Sequence, residues 1–508
     1  MFHILPVIRS TRVTDHVSQK PAKRQPMAKV DTAWLRMESP SNLMMITGVI
    51  VLANRVTFRD FEKAFAQRFL LFERFRHKAV GGARGYWWEE DAQFELSAHI
   101  RHTALPGKAD KVELEKLVSE LASTPLDQTK PLWQFHLVDN YIDGPVVIGR
   151  IHHCYADGMA LVQVMLSLTA ETADASVADV KMPERRRVQA REMGLFERYL
   201  IPAKKGLKAA SQLSERMLKE GQDWIHDPEA FIENAHLARE WLAELGALVA
   251  IEDDPPSRFK APLGVRKNVA WASPVPLEEV KAIGYALGCT VNDVLIAVIT
   301  GALHRYLIQA GDDPTELSMR ATVPVNLRSP EDAKELGNHF GLVFLDLPIA
   351  EHNPLARVYQ VSEAMNRLKS SKQAAVSLGL LSVFGMAPAA VQPPALEMFS
   401  KKATTVLTNV PGPQSFRYLA GAPIQEMMFW VPQNGTIGMG ISIMSYAGQV
   451  FSGLIADQNL VPEPSDVMGL FEKEFDDLLY LALLIGPMIH EMDGEQVEHL
   501  HEWIDGEV

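Results

Sequence analysis

Between residues 183 and 265 the chain changes character, and that change limits what the rest can fold into. On either side, strand-like and helix-like runs alternate. Inside, β-branched runs almost vanish and Ala, Leu, Glu, Lys and Arg dominate, up to the break at Asp254-Pro255-Pro256. Proline has no N–H to give a helix interior, so this break closes a helical segment. The chain therefore divides into two mixed α/β halves, residues 30–182 and 266–508, joined by a helical linker of residues 183–265. A length of 508 residues also exceeds what one hydrophobic core usually organises. Residues 1–29 read as a flexible N-terminal tail, polar and basic from residue 9, with Met27 as an alternative start.

Composition narrows the class. A 47% hydrophobic and 22% charged chain is globular. A net charge of −13 argues against nucleic acid as a partner, because phosphate backbones attract basic surfaces. The two cysteines, Cys154 and Cys289, suit a reducing cytoplasmic setting. The opening MFHILPVIRS lacks the basic region and cleavage site of a secretory signal. No clean apolar run reaches the roughly 20 residues of a membrane-spanning helix. The nearest, Ala374–Leu396, contains Pro388, Pro393 and Pro394 and is expected as a buried or surface-lying helix. Lys181–Lys219 carries eleven Lys or Arg against four Glu, a local excess of seven positive charges. A solvated helix face explains that run; attraction to anionic lipid or cofactor phosphates is the alternative.

Periodicity places the elements. A strand is expected at Met45–Leu52. A helix is expected over Phe58–Lys78, where Phe58, Phe61, Phe65, Phe69, Phe72 and Phe75 recur every three or four residues. Another follows at Asp110–Ser123. Trp133–Tyr141 and Pro145–His153 read as hairpin arms around an Asp143-Gly144 turn, with a helix after Gly158. In the second half, helices are expected at Leu277–Leu287, Thr290–Gln309 and Val467–Leu483. Strands are expected at Arg320–Pro324, Gly341–Leu347, Ala403–Leu407, Thr436–Ser445 and Gln449–Ile455.

The second hairpin arm ends in IHHCYADG, Ile151–Gly158. Adjacent strand residues point to opposite faces, so His152 and His153 cannot easily share a metal ion. No HExxH helix or cysteine pair supplies further ligands, so no metal centre is expected. A hydrogen-bonded core pair is the bland reading. A general base is the sharper one, because free imidazole is mostly neutral at pH 7 and accepts a proton. Strand parity sets Arg150 on the face of His152, which favours His153 as base and His152 as support. Asp157 either orients the imidazole or pins the loop through an arginine, with Arg328 as candidate. The following Gly158 suits the clamp better. Cys154 is the rival nucleophile, but no helix N-terminus lies beneath it to form a thiolate.

His152-His153 with Asp157-Gly158 fits the HHxxxDG pattern of CoA-dependent acyltransferases and peptide-synthetase condensation domains. Pro131-Leu132-Trp133 resembles the PLW signature of bacterial wax ester synthase/diacylglycerol acyltransferases, and Asn292-Asp293-Val294-Leu295 resembles that family's ND motif. DTAWLRMESPSNLMMI at Asp31–Ile46, VPVNLR at Val323–Arg328, TNVPGP at Thr408–Pro413 and SYAGQ at Ser445–Gln449 are also similar. The resemblance covers most of Val30–Leu483. It implies an α/β (α+β) fold of two chloramphenicol-acetyltransferase-like domains, joined by a helical linker, with the active-site channel at their interface.

The implied activity is O-acyl transfer from acyl-CoA, as co-substrate with no permanently bound cofactor, to a fatty alcohol or diacylglycerol. His153 would act as general base without an acyl-enzyme. Asn292 is the candidate oxyanion donor or substrate-positioning residue; starting a helix explains it equally, since Thr290 and Asp293 read as a capping box. Asp293, Pro131, Trp133, Thr408 and Asn409 are the candidate substrate-binding residues, with Asp293 weighted towards a structural part. A cytoplasmic enzyme is expected from the cysteine usage, and the uncharged Ala374–Leu396 stretch is expected either to line the acyl tunnel or to bring the protein into peripheral contact with membrane or lipid droplet. The rivals are a condensation-type enzyme using carrier-bound acyl groups and a catalytically idle lipid-binding protein.

Overall fold

The computed structural model describes residues 24–82, 85–173, 243, 246–327, 338, 340–369, 371, 373–386, 390 and 392–491. Residues 1–23 and most of the expected linker, with its basic run, lie outside them. Within the expected tail, Arg24–Pro26 forms a strand antiparallel to Gly85–Glu90, and Met27 is buried.

The first sheet has seven strands in the order Ile100–Thr103, Trp133–Val138, Val146–His152, Met45–Leu52, Ala422–Trp430, Tyr418–Leu419, Thr169–Ala170. Its central strands, MITGVIVL and VVIGRIH, carry apolar residues on both faces, with Thr47, Arg150 and His152 as the polar exceptions, because both faces are covered. The hairpin forms as expected, with Gly144 at φ 126° in a turn that favours glycine. The phenylalanine-rich helix stops at Gln67 rather than Lys78. Two 3-10 turns, Phe69–Leu71 and Glu73–Arg76, carry Phe69 and Phe75, with Phe72 between them. The break lets Phe69 stack on Phe75 at 4.1 Å and meet Trp133 edge-on at 4.7 Å. Tertiary packing of large rings outweighs helix periodicity here.

The second sheet runs Val275–Pro276, Gln449–Asp457, Met439–Tyr446, Thr405–Pro411, Met319–Asn326, Phe340–Leu347, with Lys267–Trp271 also paired to Gln449–Asp457. Helix Val291–Gln309 packs against helices Leu277–Leu287, Pro354–Lys369 and Pro464–Glu491. By length and composition it could cross a membrane, yet 72% of its apolar window is buried inside the protein. It is apolar all round because it is a core helix. The Ala374–Leu396 stretch is divided between helices Gln373–Met386 and Gln392–Ser400. The first packs on helix Lys29–Met37 and strand Phe340–Leu347, with Val376 and Leu381 buried.

One strand changes sides. By position in the chain Ala422–Trp430 belongs with residues 266–508, yet it pairs antiparallel with Met45–Leu52 in the first sheet. The two halves are therefore laced together by backbone hydrogen bonds as well as by packing.

Candidate active site

The turn after Val146–His152 is fixed from below. The His153 N–H donates to Met44 O at 2.7 Å, and the His152 N–H donates to Leu132 O at 3.0 Å. The Leu132 N–H donates to Tyr155 Oη at 3.1 Å, and that hydroxyl donates to His77 O at 2.5 Å. Pro131-Leu132-Trp133 thus braces the turn. Pro131 and Trp133, expected in the substrate wall, do not line the cavity. Trp133 is enclosed in the first core, where its Nε1 donates to Phe75 O at 2.8 Å. A buried indole is most stable with its N–H satisfied and both faces packed.

The two histidines diverge, but strand alternation does not set this, because the strand ends at His152 and His153 begins the turn. His152 Nε2 lies 3.1 Å from Glu38 Oε2, and its Nδ1 accepts from the Cys154 N–H at 3.1 Å. Burial works to raise the Glu38 pKa, but contacts with His152 and Gln128 outweigh it and hold the carboxyl below its usual range. Arg150, placed by parity beside His152, points instead to the end of helix Lys111–Ala122. Its guanidinium donates to Leu121 O and Thr124 O, both at 2.7 Å. Carbonyls left open where a helix ends draw the cation away.

His153 is stacked on Trp34, with ring centroids 4.3 Å apart and planes 20° apart, and Phe340 stands 5.5 Å away. Burial pushes the imidazole down to about 4, against the opposing charge of Asp157. At pH 7 it is neutral. Its carbonyl accepts from Asn338 Nδ2 at 2.9 Å, and the same amide donates to Asp31 Oδ1 at 2.9 Å. Burial lifts Asp31 to about 6, despite Asn338 and Arg74. Burial also pushes the Cys154 thiol well above its ordinary value, so it is not a thiolate.

A cavity of about 260 Å³ lies where the two halves meet. His153, Asp157 and Gly158 line it from the first half; Asn292, Asp293, Thr408 and Asn409 line it from the second. The expected capping box is present: the Asp293 N–H donates to Thr290 Oγ1 at 3.2 Å, and the Thr290 N–H donates to Asp293 Oδ2 at 3.0 Å. Asp293 is thereby committed to the helix start. Asn292 follows the cap in the first turn, where the helix dipole favours negative charge. Asn409 Nδ2 donates to Asn292 Oδ1 at 2.8 Å, and the Asn292 NH₂ donates to Met365 Sδ at 3.9 Å with one of its two hydrogens. Thr408 is held by Ile441 O and Ser442 Oγ, both at 3.3 Å. Arg328, the expected partner of Asp157, lies outside the described residues.

Five neighbours of the histidines carried no sequence-based role: Asp31, Trp34, Glu38, Asn338 and Phe340. The first three recur at steps of three and four along helix Lys29–Met37 and its C-cap residue Glu38, a one-face spacing that was available to find them.

The wax ester synthase/diacylglycerol acyltransferase catalytic-domain model matches residues 27–295, and the WS/DGAT C-terminal-domain model matches residues 336–479. A Mycobacterium tuberculosis protein named a diacylglycerol O-acyltransferase is 26% identical over 486 residues, 92% of each chain. A second from that organism is 27% identical over 465 residues, covering 88% of this chain and 97% of the relative. Among solved structures, the wax ester synthase/diacylglycerol acyltransferase from Marinobacter aquaeolei VT8 superposes with a TM-score of 0.64 at 20% identity, covering 90% of this chain and 99% of that one. The first condensation domain of the calcium-dependent antibiotic synthetase gives 0.57 at 16% identity, covering 91% and 97%. At these identities the two structures report on the fold, which is shared.

Proposed function

The chain belongs to the wax ester synthase/diacylglycerol acyltransferase family and is an acyltransferase; from that premise we propose that it moves a long acyl group from acyl-CoA to the hydroxyl of a fatty alcohol or diacylglycerol, with His153 as general base. The observation that carries this reading is the position of His153 on the wall of a cavity shared by both halves, where burial pushes its imidazole below the usual range.

A thioester is already activated, so the weak partner is the alcohol. His153 takes the hydroxyl proton as the alcohol oxygen bonds to the thioester carbonyl carbon, a contribution of roughly 10²–10⁴-fold. Negative charge builds on the former carbonyl oxygen, and the Asn292 NH₂ is the donor that meets it, oriented by Asn409. The C–S bond then breaks, the carbonyl reforms, and the departing thiolate takes the proton from the imidazolium. No acyl-enzyme is needed. His152, propped against Glu38, and Asp157 hold the turn that presents His153.

Purified protein assayed with palmitoyl-CoA and either hexadecanol or dioleoylglycerol, with thiol release followed, tests the reading. His153→Ala should lower turnover at least about 10²-fold while leaving the fold intact. Full activity in that variant would refute the base assignment. Turnover only with carrier-bound acyl groups would favour the condensation-type alternative.

A further inference from the structure

Among the described residues, two buried atoms at the base have no hydrogen-bond partner: His153 Nδ1 and Asn338 Oδ1. A neutral imidazole carries one hydrogen, so one ring nitrogen donates and the other accepts. The bond made by the far nitrogen decides which is which. Nδ1 is enclosed while the ring lines the cavity, so Nε2 is the nitrogen offered to substrate. For Nε2 to take a proton, Nδ1 must already hold the hydrogen. That hydrogen needs an acceptor, because a buried donor left unpaired is costly.

Asn338 stands two residues before strand Phe340–Leu347, whose first ring packs on His153. It is buried and does not line the cavity. Its Nδ2 donates to Asp31 Oδ1 and to the His153 carbonyl, both at 2.9 Å. Asp31 lies 3.8 Å from the Arg74 guanidinium and, titrating at about 6, is mainly carboxylate at pH 7. Two acceptors on one side fix the amide's orientation, with NH₂ toward them and Oδ1 away. Oδ1 is then an acceptor lacking a donor. The Asn338 side chain also raises the proton affinity of the His153 ring against burial, as an acceptor beside it does. The His153 carbonyl acts in the same direction, but Asn338 Nδ2 already engages it. The two unpartnered atoms are therefore complementary, and their side chains adjoin.

We infer that Asn338 is a positioning residue for the base: its Oδ1 accepts the His153 Nδ1 hydrogen and so keeps Nε2 bare for the substrate proton. This rests on the acyl-transfer reading above and adds to it the group that sets the tautomer. Nδ1 keeps its hydrogen throughout; Nε2 alone gains the alcohol proton and returns it to the thiolate. Catalytic hydrogen bonds are often loose in a free enzyme and tighten with substrate, which accounts for the two open atoms. Asn338 comes from the second half, while Asp31 and His153 come from the first. The base is thus oriented only when the halves are joined.

The test uses full-length protein with nitrogen-15-labelled histidine, the His153 signals being those lost in His153→Ala. Asn338→Leu keeps the bulk and removes both polar ends; Asn338→Ala serves if the leucine prevents folding, judged by melting temperature. Wild-type protein at pH 7 should show a protonated Nδ1 and a bare Nε2. Both Asn338 variants should shift toward protonated Nε2, the form that free histidine side chains favour. Their kcat for thiol release from palmitoyl-CoA with hexadecanol should fall at least about tenfold, within the roughly 10⁴-fold that a catalytic histidine loses in the wrong tautomer. KM for palmitoyl-CoA should barely move, since Asn338 does not line the cavity. Asp31→Asn should lower kcat less, and adding it to Asn338→Leu should cost nothing further, because the two act through one chain of contacts. A wild-type pattern of protonated Nε2, or a pattern unchanged in folded Asn338 variants, overturns the inference whatever the rate. An undiminished kcat, or losses that multiply in the double variant, overturns it too. A wild-type Nδ1-protonated pattern that disappears in Asn338→Leu, in a protein that turns over no thioester, would defeat the proposed function and leave the tautomer assignment standing.

Discussion

Trp34 and Phe340 take from His153 the water that would solvate its cation, and the pH dependence of catalysis should record it. The base works only when unprotonated, so kcat/KM should hold steady through neutral pH and fall as pH drops through about 4, the value to which burial pushes the imidazole. Trp34→Ala admits water against the ring. The pKa then rises toward the unperturbed value near 6.5, and the acidic limb of the kcat/KM profile moves up with it. Trp34→Phe, which keeps a ring in place, should move the limb less. A limb that stays put in Trp34→Ala would show that Trp34 only fills space. The histidine pair and Asn292 were legible because they sit in short motifs whose residue types have few other uses together. Asn338 was not: it joins Asp31 to the His153 carbonyl across 307 and 185 positions, and no local pattern signals such a bond.

Helix Lys111–Ala122 shows the same division at the next scale. Its apolar face follows from Leu114 and Val118, both fully buried, and periodicity finds it. Its other face caps the open edge of strand Lys267–Trp271. Ser123 Oγ accepts from the Lys267 N–H at 2.8 Å, Ser119 Oγ from the Val269 N–H at 3.0 Å, and Glu115 Oε1 from the Trp271 N–H at 3.4 Å. Every fourth helix residue meets every second strand residue, so one helix face satisfies one strand edge. An edge left bare invites pairing with another chain. Ser119→Ala strands the Val269 N–H and should cost about 1–3 kcal/mol, read as a lower urea midpoint. Ser119→Thr keeps an acceptor and should recover most of it. A midpoint unchanged in Ser119→Ala would mean that water replaces the hydroxyl. Periodicity reports which face is buried; it does not report what a polar face holds. The shortened phenylalanine-rich helix makes the converse point, since aromatic contacts beyond its own turn ended it.

For the whole molecule, two mixed α/β halves were legible in the composition change that separates them. The exchange of Ala422–Trp430 was not, because an apolar strand carries no mark of which sheet it will join. Pairing makes the halves one folding unit. Without Ala422–Trp430, strand Met45–Leu52 becomes an apolar edge. A fragment of residues 1–173 should therefore aggregate when expressed alone, and should elute as a soluble one-to-one complex when co-expressed with residues 246–508. A monomeric, cooperatively melting 1–173 fragment in size-exclusion and thermal assays would contradict this. The crossover also sets a timetable for birth. Met45–Leu52 leaves the ribosome early, and the strand that shields it follows only after most of the chain has been made. Synthesis at about 5–20 residues per second leaves that greasy border uncovered for tens of seconds. The nascent polypeptide accordingly needs a chaperone's shelter, or a slow tempo of translation, more than its finished stability would suggest.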